Sequence, residues 1–589
     1  MTKKRLVTII IIAAIIAAIS VLVSRLPAPN GSTPDIKNPD AFVIAGQNDI
    51  ASLDPAYGYD TESGGQLLNI YEPLIKFDGS SISEFAPCLA TEWTVSEDGK
   101  TYRFKIREGV SFHNGNALTP EDVEYSFERG MVQDYVSGPQ WMFFETLFGL
   151  GTYSSRTDGG GLISLNDIKS KVEVDGQWVQ FNLAAPYEPF LQIMSSYWAS
   201  VVDMDWCIQN GDWDGTQESY ESLNDPAPGS SPIHSIANGT GPFMLESWNV
   251  GSGITLIRND DYWGELASFE RIITQTIFDS NERALMLVSG DADAAAIPLG
   301  QVQALTEQPG ISVYDGLPTL LNQALFFQFD IEPATGLIGS GQLDGEGIPV
   351  DFFSDVDVRK GFAYAFDWDI YIHDALTGYG EQISSPIVKG IPYYKPDWPS
   401  YELDLAKAEQ HLRTAWDGQV WENGFLITLV YGAGDVTGKT ACEILQSNLF
   451  QINPLFKINI RLMGWPDMLA EMSRGGLPMY ISGWSADYPD PHNFVFPYMH
   501  SQGTFAQGQR YSNEVVDGLI EQAISSNNHT ERQMLYDQLA ELYYDEVPSI
   551  MVAQLLGAYC FRDWIDGFVY NPMRVVYATY AYYLSKGYE

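Results

Sequence analysis

The segment with the clearest capacity for chemistry reads AGDVTGKT, at residues 433–440. It matches a relaxed form of the phosphate-binding loop, in which backbone N–H groups of a glycine-rich turn hold phosphates and a lysine reaches them. The flanks fit as well, because an apolar strand is predicted at residues 425–430 and a helix at 440–449. No convincing neighbouring strand ends in an aspartate that could hold Mg²⁺, however. The sequence therefore disfavours nucleotide binding.

Other reactive constellations are missing from the 589-residue sequence. It contains no GxSxG, no HExxH and no cysteine–histidine pair at a recognisable spacing. The four cysteines (Cys88, Cys207, Cys442 and Cys560) lie far apart without CxxC spacing or nearby histidine pairs. A zinc site is therefore not predicted, although one or two disulfides are possible outside the cytoplasm. We expect a protein that is not an enzyme and that needs no cofactor and no metal.

The charge of the chain excludes further classes. There are 76 acidic against 32 basic residues, a formal net charge of −44. A surface this acidic repels phosphate backbones and anionic lipid. We therefore expect no nucleic-acid partner and no peripheral lipid binding. Solubility, adaptation to salt and attraction of cationic solutes would each explain the acidity, and composition alone does not separate them.

The N-terminus indicates the compartment. Basic residues 3–5 precede an uncharged apolar run at 6–23, which is about long enough to cross a bilayer. Because basic flanks stay on the cytoplasmic side, the rest of the chain is predicted to be extracytoplasmic. Residues 1–25 are either an uncleaved membrane anchor or a signal segment that is removed, and residues 26–40 read as a flexible linker. The protein is thus expected at the cell surface or in the periplasm, where it is either tethered by its N-terminal helix or released after cleavage.

The elements that follow mix strands and helices. Residues 41–45 predict an opening strand, and the alternation at 101–106 predicts a half-buried strand. Residues 64–75 and 358–376 are predicted to be helical. Another helix is predicted to open at Thr119 as N-cap, with a proline and two acidic residues behind it. No strict strand–helix repeat of a single doubly wound sheet is present, so the sequence indicates a mixed α/β protein.

Several segments resemble one family in the same order along the chain. The strongest is Tyr102–Val123, YRFKIREGVSFHNGNALTPEDV, and the last is Gly483–Phe494, GWSADYPDPHNF. Further segments that resemble the family are Leu53–Pro55, Ile70–Leu74, Gly239–Phe243, Arg258–Trp263 and Val358–Asp367. The chain is similar to family 5 of the extracytoplasmic solute-binding proteins of ABC importers, which contains dipeptide-, oligopeptide- and nickel-binding receptors. The resemblance extends over roughly residues 42–575.

The resemblance implies an α/β fold of the periplasmic-binding-protein type, with two hinged lobes that close on a ligand and a third, auxiliary domain. The first lobe would be discontinuous, built from residues 41–76, 206–312 and 556–589. The auxiliary domain would be residues 77–205, and the second lobe residues 313–555.

The resemblance also points to ligand-binding residues. Asp487 stands where peptide-binding relatives have the acidic residue that pairs with the ligand's α-ammonium group. A carboxylate in a closed, water-poor cleft suits that role, because charge-assisted hydrogen bonds are strong there. Trp484 and Tyr488 flank it and would supply a cation–π contact or an apolar wall. The alternative is a carboxylate that only stabilises the turn from Asp487 to Pro491.

Three other residues are weaker candidates. Arg474 could form a bidentate pair with a ligand carboxylate, although a solvated arginine is the simpler reading. Tyr57 could face the cleft from the first lobe, and Trp465 could do so from the second. Simple packing would account for both as well.

The expected function is that of a monomeric receptor, which captures short peptides and delivers them to an ABC permease. With only 7 histidines in the chain, nickel is the least favoured cargo. A receptor for another solute such as an oligosaccharide, and a sensor or adhesin without transport, remain alternatives. A secreted hydrolase is the least favoured.

Overall fold

The computed structural model describes residues 36–135, 137–154, 163–223, 225, 227 and 229–588. The predicted anchor or signal segment (1–25) and residues 26–35 of the predicted linker lie outside the described residues. Within the described ranges no helix is both long enough and apolar enough to cross a membrane.

The described strands are short except for two. They are β1 (Ala41–Gly46), β2 (Ile75–Phe77), β3 (Phe85–Pro87), β4 (Ala90–Val95), β5 (Thr101–Ile106), β6 (Val172–Asp175), β7 (Trp178–Asn182), β8 (Phe243–Asn249), β9 (Gly253–Arg258), β10 (Arg271–Thr276), β11 (Ala294–Ala295), β12 (Ile311–Phe327), β13 (Gly380–Glu381), β14 (Phe425–Gly432), β15 (Phe456–Met463), β16 (Met479–Ser485), β17 (Ser549–Arg562), β18 (Ile565–Asp566) and β19 (Ser585–Lys586).

Helices connect most of these strands. Those of eight residues or more are Thr61–Ile70, Pro120–Gln133, Trp141–Phe148, Ser280–Ser289, Leu299–Thr306, Val356–Ala365, Leu405–Thr414, Val436–Ile452, Trp465–Arg474, His492–Met499, Glu514–Ser525 and His529–Glu546. Shorter α-helices are Leu165–Lys169, Phe190–Met194, Met204–Gln209, Gln217–Ser222, Trp368–Ile370, Gln419–Asn423 and Thr504–Gln509. Short segments of other helix types occur at Tyr197–Ala199, Pro333–Thr335, Phe352–Ser354, Tyr371–Ala375, Ala415–Gly418 and Tyr577–Tyr583.

One large sheet organises the molecule. Its order is β15-β14-β16-β12-β17-β11-β1-β10-β9-β8, with β13 paired to β17. At one side β14 runs parallel to β15 and β16, and at the other β1 runs parallel to β10 and β11. The long antiparallel strands β12 and β17 lie between these two parallel sets. A separate four-stranded antiparallel sheet, β4-β5-β7-β6, stands apart from it.

The ladder between β12 and β17 is interrupted near its middle. Register shifts separate Tyr314 from Leu317 and Pro318 from Asn322 on β12. Such irregularities bend a strand and weaken local pairing. They divide the inner segment (residues 328–548, between β12 and β17) from the outer segments (residues 36–310 and 563–588).

The buried apolar clusters follow the same division. The largest takes almost all its members from the outer segments, with Tyr488 and Ile524 added from the inner segment. Two other clusters are built mainly from the inner segment and the flanking parts of β12 and β17. The domain boundaries expected from the sequence stay a prediction.

Local signals explain where helices begin and end. Thr119 and Asp122 form a reciprocal capping box, and Pro120 is the first helical residue, as predicted. The helix predicted at 64–75 instead spans Thr61–Ile70, because Tyr71 is extended and Pro73 follows. The helix predicted at 358–376 also breaks early: Phe366 is extended, and Asp367 caps a new turn.

A group of buried charges holds parts of the outer segments together. The guanidinium of Arg129 contacts both carboxylate oxygens of Asp54 at 3.0 and 2.6 Å and a carboxylate oxygen of Asp212 at 2.6 Å. All three side chains are almost fully buried. This buried charge triad joins the Leu-Asp-Pro turn to the helix Pro120–Gln133.

Candidate ligand-binding site

Asp487 lies just beyond the carboxyl end of β16. The parallel strands β15, β14 and β16 all end at this edge of the sheet. In open α/β sheets, ligands bind in the crevice outside the carboxyl ends of the strands. The local chain therefore places Asp487 at the edge where a ligand is expected.

A buried asparagine fixes the orientation of Asp487. The backbone N–H of Asp487 donates to Oδ1 of Asn493 at 2.9 Å, and Nδ2 of Asn493 donates back to Asp487 Oδ2 at 3.3 Å. Nε1 of Trp484 donates to the same Asn493 oxygen at 3.1 Å. The turn between β16 and the helix His492–Met499 thus holds Asp487 and Trp484 in one fixed arrangement.

The other carboxylate oxygen of Asp487 is contacted from the outer segments. The hydroxyl of Tyr59 donates to Asp487 Oδ1 at 2.7 Å, and Nε1 of Trp141 donates to the Tyr59 oxygen at 3.1 Å. The ring of Trp198 meets that of Tyr59 edge to face, with centroids 6.1 Å apart. Inner and outer segments therefore touch directly at Asp487, and the structure is closed at this point.

The electrostatics of this contact are unusual for an aspartate. Burial raises the pKa of Asp487 to about 6, although hydrogen bonds from Tyr59 and Asn493 act in the opposite direction. All the donors that contact its side chain are neutral, and none of the described cations forms an ion pair with it. A cation entering this site would stabilise the charged form. The arrangement is thus suited to bind an ammonium group.

Tyr488 serves a second contact between the same segments. Its side chain is buried, and its hydroxyl lies 2.7 Å from that of Tyr187, which donates to Glu145 Oε2 at 3.0 Å. The sequence singled out Tyr488 as a wall beside Asp487, whereas the structure engages its hydroxyl across the interface.

A charged contact extends this interface. The guanidinium of Arg532, in the inner segment, bonds Asp490 at 2.9 and 3.0 Å and also contacts Glu188 of the outer segments. The hydroxyl of Tyr393 donates to Glu188 as well, at 3.0 Å. Closure of the two segments therefore buries ionic as well as neutral hydrogen bonds.

The remaining candidates lie in different places. Tyr57 is buried and stacks on Tyr135 at 4.7 Å, close to Asp54 and Arg129, and Tyr59 contacts Asp487 instead. Trp465 is 52% exposed and begins its helix directly after β15, at the same sheet edge as Asp487.

Arg474 ends the helix that Trp465 begins. That helix returns towards the amino end of β16, so Arg474 and Asp487 lie near opposite ends of this strand. The Arg474 guanidinium is half-exposed and pairs with Glu471 at 2.6 Å. The structure does not bring Arg474 together with Asp487.

The segment that resembles a phosphate-binding loop has a different local use. β14 leads into it and the helix Val436–Ile452 follows, as the flanking pattern predicted. The carboxylate of Asp435 caps that helix by accepting the N–H of Gly438 at 2.7 Å. An acidic side chain thus occupies the place where a phosphate would be held.

The four cysteines form no disulfide. All four are free and buried, and burial raises the pKa of the Cys88 and Cys442 thiols. Among the residues that the structure describes, no group of three or more histidine, cysteine or acidic side chains could hold a metal ion.

Comparison with known proteins identifies the family to which this chain is similar. The profile described as "Bacterial extracellular solute-binding proteins, family 5 Middle" matches residues 84–506. The chain is 25% identical over 560 residues to the probable D,D-dipeptide-binding periplasmic protein DdpA of Escherichia coli, covering 94% of this chain and 95% of that protein. It is also 25% identical over 511 residues to heme-binding protein A of Haemophilus influenzae, covering 85% of each.

A solved structure shows the same architecture. It is the ABC transporter-associated periplasmic binding protein DppA of Helicobacter pylori in complex with the peptide STSA. The TM-score is 0.71 at 24% identity, with 93% of this chain and 98% of that chain covered. The α/β fold of the two-lobed periplasmic-binding type with an auxiliary domain, predicted from the motifs, is therefore confirmed.

Proposed function

Since the chain belongs to the bacterial extracellular solute-binding proteins of family 5, we propose that it captures short peptides outside the cytoplasm and hands them to the permease of an ABC importer. The observation that carries the cargo assignment is Asp487. Its carboxylate lies at the contact between inner and outer segments, and only neutral groups donate to it. The α-ammonium group of a peptide would provide the missing positive charge.

Binding and closure are coupled in this proposal. A peptide ammonium would take the position at Asp487 Oδ1 that the Tyr59 hydroxyl holds, or share that oxygen with it. Trp484 and the exposed Trp465 would contact ligand side chains, and the peptide backbone would pair as an added strand. Tyr57 and Tyr488 would support the walls of the site. Ligand would favour the closed form, which the permease recognises.

The remaining parts of the assignment follow from the family. We propose a monomeric receptor without catalytic activity, extracytoplasmic, and either tethered by residues 1–25 or released after their removal. The lobes and auxiliary domain would follow the boundaries expected from the sequence. Support comes from DdpA and the DppA complex, which are described as binding a D,D-dipeptide and a peptide.

The cargo needs a direct test, because a relative with the same 25% identity is described as a heme-binding protein. A thermal-shift screen of the purified protein would compare trialanine, N-acetyl-trialanine, an oligosaccharide, heme and nickel. Bound ligand raises the unfolding midpoint by mass action. We expect trialanine to raise it and N-acetyl-trialanine not to. Equal shifts by both peptides, or a shift by heme, nickel or the sugar alone, would refute peptide capture at Asp487.

A further inference from the structure

A cavity separate from the Asp487 contact lies among the outer segments. Its volume is about 90 Å³, and it is lined by the helix Thr61–Ile70, the turn Tyr197–Ala199 and the C-terminal residues 573–583. Tyr583, which forms part of the wall, is 41% exposed, so the cavity reaches the surface. A space of this size holds a carboxylate group or a few water molecules.

Two cations line this cavity without a carboxylate partner. The Lys76 ammonium lies 5.7 Å, and the Arg574 guanidinium 4.5 Å, from the centroid of the same Tyr583 ring. Among the described residues neither forms an ion pair, and Arg574 donates one hydrogen bond, to the Tyr583 hydroxyl at 3.2 Å. Since acidic residues outnumber basic ones by more than two to one, two cations left together without a carboxylate partner favour a bound anion.

A third hydrogen-bond donor, the indole N–H of Trp198, also lacks an acceptor in the described part of the chain. Trp198 lines the cavity and is buried to 6% exposure, and its Nε1–H has no hydrogen-bond partner among the described residues. A buried N–H without an acceptor destabilises the folded protein. The cavity is therefore lined by two cations and by a tryptophan whose buried N–H donor lacks an acceptor within the described ranges.

The one carboxylate in the wall does not fill that role. Glu72 is buried, and its two oxygens accept from Tyr262 at 2.7 Å, Trp263 at 2.8 Å and Thr240 at 2.9 Å. Burial also raises the pKa of Glu72. Among the described residues Glu72 forms no ion pair, and its charge acts on Lys76 only at a distance, so the donors of Lys76 and Arg574 stay open to a ligand.

From this geometry we propose that the cavity is a binding site for a carboxylate group, held by Arg574, Lys76 and Trp198 Nε1–H. Arginine binds carboxylates through its planar fork of N–H groups. The carboxylate could belong to a captured peptide or to a separate small organic acid. Trp198 connects this wall to the Asp487 contact, because its ring packs on Tyr197 in the wall and on Tyr59 at Asp487.

The first experiment tests the carboxylate site by itself. The unfolding midpoint is measured in sodium acetate and in sodium chloride at equal ionic strength, for the wild type, Arg574→Gln, Lys76→Gln and Asp487→Asn. Arg271→Gln is the matched control, because it removes an exposed cation paired with Glu246.

Acetate is expected to raise the midpoint above chloride in the wild type, Asp487→Asn and Arg271→Gln, and not in Arg574→Gln or Lys76→Gln. Circular dichroism confirms that each variant is folded, and the two cavity variants serve as independent tests. If the wild type shows no difference between the salts, or if both cavity variants respond like the wild type, the proposal is wrong.

The second experiment identifies the source of the carboxylate and rests on the proposed function. Calorimetry compares trialanine with trialanine amide. If the amide binds the wild type about tenfold or more weakly than trialanine does, and if Arg574→Gln binds both equally, the carboxylate belongs to the peptide. Equal binding of both, with acetate binding in addition, assigns a separate acid. If neither peptide binds, the proposed function fails while the acetate result still decides the site.

Discussion

Two aspartates from motif segments, Asp54 and Asp487, show opposite ways to bury a carboxylate. Asp54 is fully buried and has a fixed guanidinium partner, Arg129, which contacts both its oxygens. Asp487 receives neutral donors, and its pKa rises to about 6. A carboxylate with a cation of its own is part of the framework, whereas one without a cation is free to bind a charged ligand.

The largest effect is expected from breaking the framework pair. Arg129→Met leaves Asp54 and Asp212 buried without their cation, which should lower the free energy of unfolding by about 3–5 kcal/mol. Urea denaturation measures the loss. The control is Arg103→Met, whose partner Asp175 is exposed, with an expected cost below about 1 kcal/mol. A comparable, small loss in both variants would remove the contrast between the two aspartates.

Asp487→Asn should act on ligand affinity instead of stability. The variant keeps the shape but loses the charge, so trialanine is expected to bind about 100-fold more weakly. Without ligand, the free energy of unfolding at pH 7 should stay the same or increase by up to about 1 kcal/mol, because an unpaired charge is no longer buried. Calorimetry measures the affinity for trialanine, and urea denaturation measures the free energy of unfolding. Asp467→Asn, an exposed carboxylate at the same sheet edge, is the matched control and should change neither.

The pH dependence should separate the two roles further. Asp487 releases its proton at about pH 6 in the folded protein and near 3.9 when unfolded. Without ligand, its contribution should therefore destabilise the fold progressively from about pH 4 to about pH 6, by about 1 kcal/mol after allowance for partial solvent access. Peptide affinity should rise over the upper part of this range, because the ammonium pairs with the ionised form.

Subtraction of the Asp487→Asn profile isolates these terms from the other titrating groups. The difference between wild type and variant should be flat above about pH 7. A difference that instead grows more favourable to the wild type from pH 4 to pH 6 would show that Asp487 has a cation partner in the unliganded protein.

The smallest effect is expected at Tyr59. Tyr59→Phe removes a neutral hydrogen bond to Asp487, so peptide affinity should change by less than about tenfold. The pKa of Asp487 should rise further, because the Tyr59 hydroxyl lowers it, and the midpoint of the affinity profile should move to higher pH. Tyr57→Phe is the control, since the Tyr57 hydroxyl has no hydrogen-bond partner among the described residues. Equal behaviour of the two variants would contradict a direct role for Tyr59.

The sequence predicted the fold and marked Asp487 as a candidate site residue, but it did not predict the contacts that Asp487 makes with the outer segments. Motifs in a fixed order identify the family, and the GWSADYPDPHNF segment places Asp487. Its hydrogen bond with Tyr59 joins residues 428 positions apart, and no local pattern in a single sequence reports such a pair. Two tyrosines lie in the turn before Asp60, and only the closed structure shows which one contacts Asp487.

Other residues were missed for different reasons. Asn493 lies inside the recognised motif, and its distance of six residues from Asp487 could have marked it as a positioning residue. Trp141 carries no local signal. Arg474 had the right chemistry, but the return of its helix along β16 takes it away from Asp487. Helix lengths were overestimated where Pro73 and the extended Phe366 interrupt apolar patterns.

The interrupted ladder between β12 and β17 limits how the molecule can move. The chain passes between inner and outer segments through these two neighbouring strands, and the register of their pairing shifts near the middle. Two adjacent strands should bend most easily about one hinge axis and resist rotation about the others. We expect opening to follow one angle, so that distances between labels at different pairs of sites should all change together.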